Sequence, residues 1–298
     1  MENSKTIIKG LSALACGAAL LGLSAIFVRY SETSPSLTAF YRAFLAIPFL
    51  YIWLRLEKEE FSFEIFQDKK LSFLLLIAGA FFAIDMAIWN WSISFTSVAH
   101  ATLMANTAPI FVAVIGFLFL GHKIKSSFLI ILSLAMFGVF LVVLAGSGSD
   151  ESRLFGDSLG IAAAIFYAGY ILSIKSITNF LSPAKALFYS TIFTAIFLLP
   201  VSILEAEVLT PETHRGWIIL IAYAFISQTL ASGLITYGIS KVSAHLSSLI
   251  LLIQPIAAAI FGWLILSESI SFMQGLGGVI VLFAIYLAST RENQISPN

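Results

Sequence analysis

Asp85, Trp89 and Asn90 stand inside an apolar run, FFAIDMAIWNWS (81–92), with no charged residue back to Lys70 and no titratable one ahead until His100. An aspartate at the centre of a membrane helix costs about 2.5–3.5 kcal/mol on insertion scales. Proton uptake, pairing with a cation or contact with water must offset that cost. At 100° per residue, Asp85, Trp89, Ser92 and Thr96 share one helix face, which is predicted to look into the protein onto a wet cavity. Arg42, in TAFYRAFLAIPF (38–49), is expected at a similar depth. Two readings stay open: a substrate or proton site built on Asp85, or an Asp85–Arg42 pair that fixes two helices.

Other polar residues at membrane depth extend the candidate set. Tyr41, Asn90, Asn106, Tyr167, Tyr170, Gln228, Tyr237, Ser248 and Gln254 join Asp85, Trp89 and Arg42 as substrate-binding or cavity-lining candidates. Such side chains can hydrogen-bond a zwitterion and stack against a ring. Trp91 points about 160° away from Trp89, so the two face different surroundings. Pro109 and Pro255 are expected in mid-helix, where each frees the carbonyl four residues earlier, at Ala105 and Leu251. With Gly116 and Gly262 they are the candidate gating or hinge residues. His100 and His245 start their helices near opposite membrane surfaces and read as hydrated end residues. Cys16 is the single cysteine and has no partner for a disulfide. No spaced His/Asp/Glu cluster suggests a metal, no phosphate-binding loop precedes a lysine, and no nucleophile–His–acid arrangement is legible. The expectation is therefore no cofactor, no metal, no catalytic residue and no nucleic-acid partner.

These residues need helices to hold them. Of 298 residues, 59% are hydrophobic and 11% charged, against about 25% charged in soluble domains. The chain reads as an all-α polytopic membrane protein whose partners are the lipid bilayer and a small-molecule substrate. Ten segments of about 20 apolar residues qualify as transmembrane helices: 10–30, 36–54, 71–94, 98–121, 126–145, 157–177, 183–204, 216–238, 243–266 and 271–289. Placing the N-terminus in the cytoplasm puts 12 of the 16 Lys and Arg on that side and leaves Arg29, Arg42, Arg153 and Arg215 on the other. Both termini are then cytoplasmic. The N-terminal apolar stretch is expected to be the first span rather than a removed signal.

A shift of 146 residues lays the sequence on itself. SVAHATLMANTAPIFVAVIGFLFLGHKI (97–124) meets SAHLSSLILLIQPIAAAIFGWLILSESI (243–270) with 9 of 28 positions identical, Pro109 on Pro255 and Gly116 on Gly262. Gly10 falls on Gly156, Ser12 on Ser158 and Arg29 on Lys175. Five helices per unit force the second unit to enter from the opposite side. The prediction is two inverted five-helix repeats, 1–146 and 156–290, with a site between them near the midplane.

The duplicated helix with PIFVAV and PIAAAI, the ESISFMQGLGG run and FFAIDMAIWNWSISFTSVAHATLMANTAPIFVAV resemble EamA-type members of the drug/metabolite transporter superfamily. Within it, the last run resembles a bacterial subgroup of YddG-like amino-acid and metabolite exporters. The family often has Gly-Glu where the fourth helix ends. Gly121-His122 stands there, and Ser267-Glu268 in the second half. The resemblance implies a bacterial inner-membrane secondary transporter, an exporter of amino acids or related compounds working by alternating access. A substrate gradient or protons would drive it. An intramembrane enzyme using Asp85 and a histidine, or a lipid-handling protein, is the alternative. Substrate, direction, coupling ion and oligomeric state are not legible.

Overall fold

The computed structural model describes residues 2–96, 98–121, 126–144, 151–267 and 270–295. All regular structure among them is helical: α1 (Glu2–Leu21), α2 (Ser24–Tyr30), α3 (Pro35–Phe44), α4 (Ala46–Leu56), a 3₁₀ turn (Phe63–Gln67), α5 (Lys69–Phe95), α6 (Val98–Ala105), α7 (Ala108–Leu120) and α8 (Ser126–Leu144). The second half holds α9 (Glu151–Ile177), α10 (Pro183–Glu205), α11 (His214–Tyr223), a π-helical segment (Ala224–Ala231), α12 (Ser232–Lys241), α13 (Ala244–Ile250), α14 (Ile253–Leu266) and α15 (Phe272–Ile295). Among the described residues eight helical stretches are long and apolar enough to cross a membrane, and Ala108–Leu120 and Ser126–Leu141 are two shorter apolar helices.

Local sequence explains the helix starts. Pro35 and Pro183 occupy first helical positions, where their missing N–H costs nothing. Asp68, Ser182, Thr213 and Ser243 cap α5, α10, α11 and α13, each side chain accepting from a backbone N–H of the first turn.

The expected mid-helix prolines turn out differently. The segment 98–121 is two helices, broken at residues 106–107, and 243–266 breaks at 251–252, so Pro109 and Pro255 lie in the opening turns of α7 and α14. A proline offers no N–H to the preceding turn, and the chain tightens there instead. Thr107 N donates to Met104 O at 3.1 Å and Ile110 N to Thr107 O at 2.9 Å. In the second half Leu252 N donates to Leu249 O at 3.1 Å and Gln254 N to Leu251 O at 2.9 Å, so the freed Leu251 carbonyl has a partner. A third break separates α1 from α2 at Gly22–Leu23, with Leu23 N donating to Leu20 O at 3.1 Å.

The long helices pair mainly across the halves: α5 along α9, α8 along α15, α1 along α12, and α10 along α3 and α5. Small residues permit the approach. A Cβ added at Gly10 would come 2.7 Å from Lys241 Cβ, and one at Gly156 would come 2.8 Å from Thr96 Cβ. At one end of α3–α4, Thr213 donates to Glu32 through its hydroxyl (2.6 Å) and its N–H (3.0 Å), and Ser36 N donates to Glu205 (2.9 Å). At the other end, Lys185 pairs with Glu59 at 3.0 Å, and the Tyr189 hydroxyl donates to Ser62 O (3.0 Å) and accepts from Ser62 N (2.9 Å).

Candidate functional site

The three helix breaks meet at one cavity. Its walls are Leu21 and Ser24 from the α1–α2 break, Ala105, Asn106, Ala108 and Pro109 from α6–α7, and Ser248, Leu251 and Gln254 from α13–α14. Helix α5 adds Phe82, Asp85, Met86 and Trp89, α9 adds Tyr167 and Ile171, and α3 adds Arg42. The space amounts to about 60 Å³. Asp85 lies 16 residues into α5, about 24 Å along its axis at 1.5 Å per residue.

Asp85 is 9% exposed and Arg42 5% exposed, so both charges are taken out of water. They do not pair directly. Arg42 is the cation acting on Asp85, yet among the described residues no hydrogen bond or ion pair reaches the Asp85 carboxylate. Arg42 turns to the second half instead: its Nε donates to Gln228 Oε1 at 3.0 Å and its Nη1 to the Tyr223 hydroxyl at 3.3 Å. The guanidinium carbon sits 5.2 Å from the Tyr223 ring centre and 5.5 Å from that of Phe82, a cation–π arrangement on two rings. Gln228 lies in the π-helical segment, fully buried, and its amide donates to Thr191 Oγ1 at 3.1 Å. In the same segment Ser227 accepts from Ser24 at 3.1 Å.

The candidates divide by place. Arg42, Asp85, Trp89, Asn106, Tyr167, Ser248, Gln254 and Pro109 line the cavity. Asn106 donates to Thr102 O at 2.7 Å and Ser248 to His245 O at 2.8 Å, each side chain stitching a broken helix. Gln228 and Tyr170 stand behind the wall; Tyr170 stacks on Phe82 with centroids 4.2 Å apart. Asn90 points elsewhere and donates to Pro35 O at 2.8 Å. Tyr41 donates to Leu209 O at 2.7 Å near one end of the bundle, and Tyr237 lies under Lys241 Nζ at 5.5 Å. Pro255 begins α14 outside the lining set. Gly116 and Gly262 are buried, and their carbonyls accept from Gly121 N and Ser267 N at the helix ends. Trp91 is 40% exposed, whereas Trp89 is 8% exposed. The His245 ring packs edge-on to Phe128, while the His100 side chain, His122 and Glu268 lie outside the described residues.

Sequence reasoning missed Phe82, Ser24, Tyr223 and Thr191. Phe82 was within reach, three residues before Asp85 on the same helix face. Ser24 follows a break that Gly22 alone does not announce. Tyr223 and Thr191 reach the site only through Arg42 and Gln228, and no spacing signals that.

The EamA-like transporter family model matches residues 8–144 and again 154–290. YetK of Bacillus subtilis, named an uncharacterized transporter, is 28% identical over 235 residues, covering 76% of this chain and 70% of its own. The pseudopaline exporter CntI of Pseudomonas aeruginosa is 26% identical over 220 residues, covering 74% and 76%. A solved crystal structure superposes over 99% of both chains with a TM-score of 0.77 at 13% identity, which speaks to the fold alone. With two matches that together span most of its length, the chain belongs to the EamA-like transporter family, as two repeats of that family's unit.

Proposed function

We propose that this chain is a secondary transporter, exporting amino acids or related small metabolites across a bacterial inner membrane by alternating access. Ten transmembrane helices, arranged as inverted repeats 1–146 and 156–290 with both termini in the cytoplasm, carry the activity. The observation that carries the reading is the cavity at three helix breaks, where a buried carboxylate has no hydrogen-bond or ion-pair partner among the described residues. Irregular backbone at membrane depth is tolerated only beside protein or water, and in transporters such breaks surround the site. CntI, named a pseudopaline exporter, supports the direction.

Asp85, Arg42, Trp89, Asn106, Tyr167, Ser248 and Gln254 contact the substrate. Gln228, Tyr170, Asn90, Tyr41 and Tyr237 support them. Pro109, Pro255, Gly116 and Gly262 flank the places where α6–α7 and α13–α14 bend as the halves rock. Asp85 is the group through which a proton gradient can act.

Reconstitution in liposomes tests this. Labelled amino acids and small metabolites are offered with and without a pH gradient. Saturable movement of one class, abolished by Asp85→Asn in protein that folds normally, is the expected result. No movement of any compound, together with turnover of substrate in detergent where no compartments exist, overturns the reading in favour of an intramembrane enzyme.

A further inference from the structure

Two opposite charges share this cavity and are kept apart. In a poorly solvated pocket a carboxylate and a guanidinium attract strongly, and each left alone is costly to bury. Direct pairing would be the simple solution, yet Arg42 spends Nε on Gln228 and Nη1 on Tyr223. Its Nη2 has no hydrogen-bond partner among the described residues, and neither carboxylate oxygen of Asp85 has one. Both side chains are more than nine-tenths buried and line the same space. The remaining walls beside them are largely apolar: Leu21, Phe82, Met86, Trp89, Ile171 and Leu251.

We propose that Asp85 and Arg42 are the two poles of a site for a dipolar molecule, one bearing a cationic nitrogen and a carboxylate. Asp85 receives the nitrogen, and the unused edge of Arg42 receives the carboxylate. Gln228 is the positioning residue that keeps the poles open. The π-helical segment delivers its carbonyl to Arg42 Nε, and Thr191 holds the far end of its amide. Without that hold the guanidinium swings onto Asp85 and the two charges cancel each other. An uncharged solute of the same size gains nothing from either pole, so the arrangement selects by charge pattern. The proposal rests on the transport reading above and adds the way in which the substrate is recognised.

The full-length chain, purified in detergent, is titrated with the twenty amino acids by calorimetry. The tightest binder is then compared with its decarboxylated amine and its deaminated acid. The wild-type chain is expected to bind the amino acid at least about ten-fold more tightly than either analogue, the scale of one lost buried charge partner. Asp85→Asn should erase the preference over the acid, and Arg42→Gln the preference over the amine. Thr191→Val, outside the cavity, should weaken the amino acid, which uses both poles, several-fold more than either analogue, which uses one, and be rescued by Thr191→Ser. Binding of no amino acid, equal binding of either analogue by the wild-type chain, or uniform loss of all three ligands in the variants overturns the proposal. If liposomes still accumulate another labelled metabolite, the transport reading survives that result. If they accumulate none, it falls separately.

Discussion

The Ser92 hydroxyl donates to the Gly156 carbonyl at 2.7 Å, and the pair 146 residues away repeats the encounter: a Cβ on Gly238 would lie 2.8 Å from the Gly10 carbonyl oxygen. One contact is a hydrogen bond and the other a bare backbone approach, on equivalent faces of α5–α9 and α12–α1. Ser92→Ala should therefore cost about 1 kcal/mol, the net worth of a buried hydrogen bond. Gly238→Ala should cost about 1–3 kcal/mol, because the new methyl also meets Leu14. Thermal unfolding of purified protein measures both, and a harmless Gly238→Ala would contradict the packing.

Helices α7 and α14 both end on a left-handed residue, Gly121 at φ +67° and Ser267 at φ +56°. A side chain there strains the backbone by about 1–2 kcal/mol, partly offset by the greater freedom glycine loses on folding. Ser267→Gly should stabilise the chain by a few tenths to about 1 kcal/mol, and Gly121→Ala should destabilise it by a similar amount. Among the described residues no neighbour lies within 4 Å of a Cβ built at Gly121, so its effect isolates the backbone contribution. Unfolding midpoints in one detergent decide the signs.

Glu32 lies between α2 and α3 and receives the Thr213 hydroxyl and N–H. The hydroxyl bond first, then the backbone bond, hold its carboxyl below the usual glutamate range. A lowered folded-state value means the contribution is complete above the ordinary range and lost as pH falls through the folded value. The gap in melting temperature between wild-type protein and Glu32→Ala should be present at neutral pH and shrink on acidification. A gap that widens in acid would contradict this linkage.

Asp85→Asn keeps the size of the side chain and removes its titration. In sealed liposomes the wild-type chain should respond to an imposed pH gradient and the variant should show no response. A rate still stimulated by the gradient would move proton coupling to another group.

Cys16 is exposed and is the single cysteine, so Cys16→Ser gives a background for site-directed labelling. Cysteines placed at Lys58 and at Glu212 should react from opposite faces of oriented vesicles. Cysteines near the two chain ends should react from the same face. Labelling of the two ends from opposite faces would remove the inverted arrangement.

Much of the scaffold was legible because its causes are local. Apolar runs, loop charges and the 146-residue shift come directly from residue types, and Asp85 stood out because a carboxylate in such a run needs a reason. The π-helical segment left no trace in composition: AFISQTLA is as apolar as its neighbours. Depth placed Arg42 beside the Asp85 helix, and α3 does lie against α5, but depth does not say which further elements hold the guanidinium. Arg42 faces α11 and the π-helical segment, which supply Tyr223 and Gln228 from 181 and 186 residues away. The helix breaks were half-visible. Proline announced two of them, although a proline in an opening turn and one in mid-helix look alike in sequence.

The pairing of α5 with α9, α8 with α15 and α1 with α12 has a consequence for biosynthesis. The first half of the chain leaves the ribosome before any of those neighbours exists. Its helices must wait in lipid, and its aspartate and arginine wait with them, until the second half threads between them. Assembly is therefore a late, whole-chain event, and a truncated product ending near the midpoint is left with its main contact faces bare.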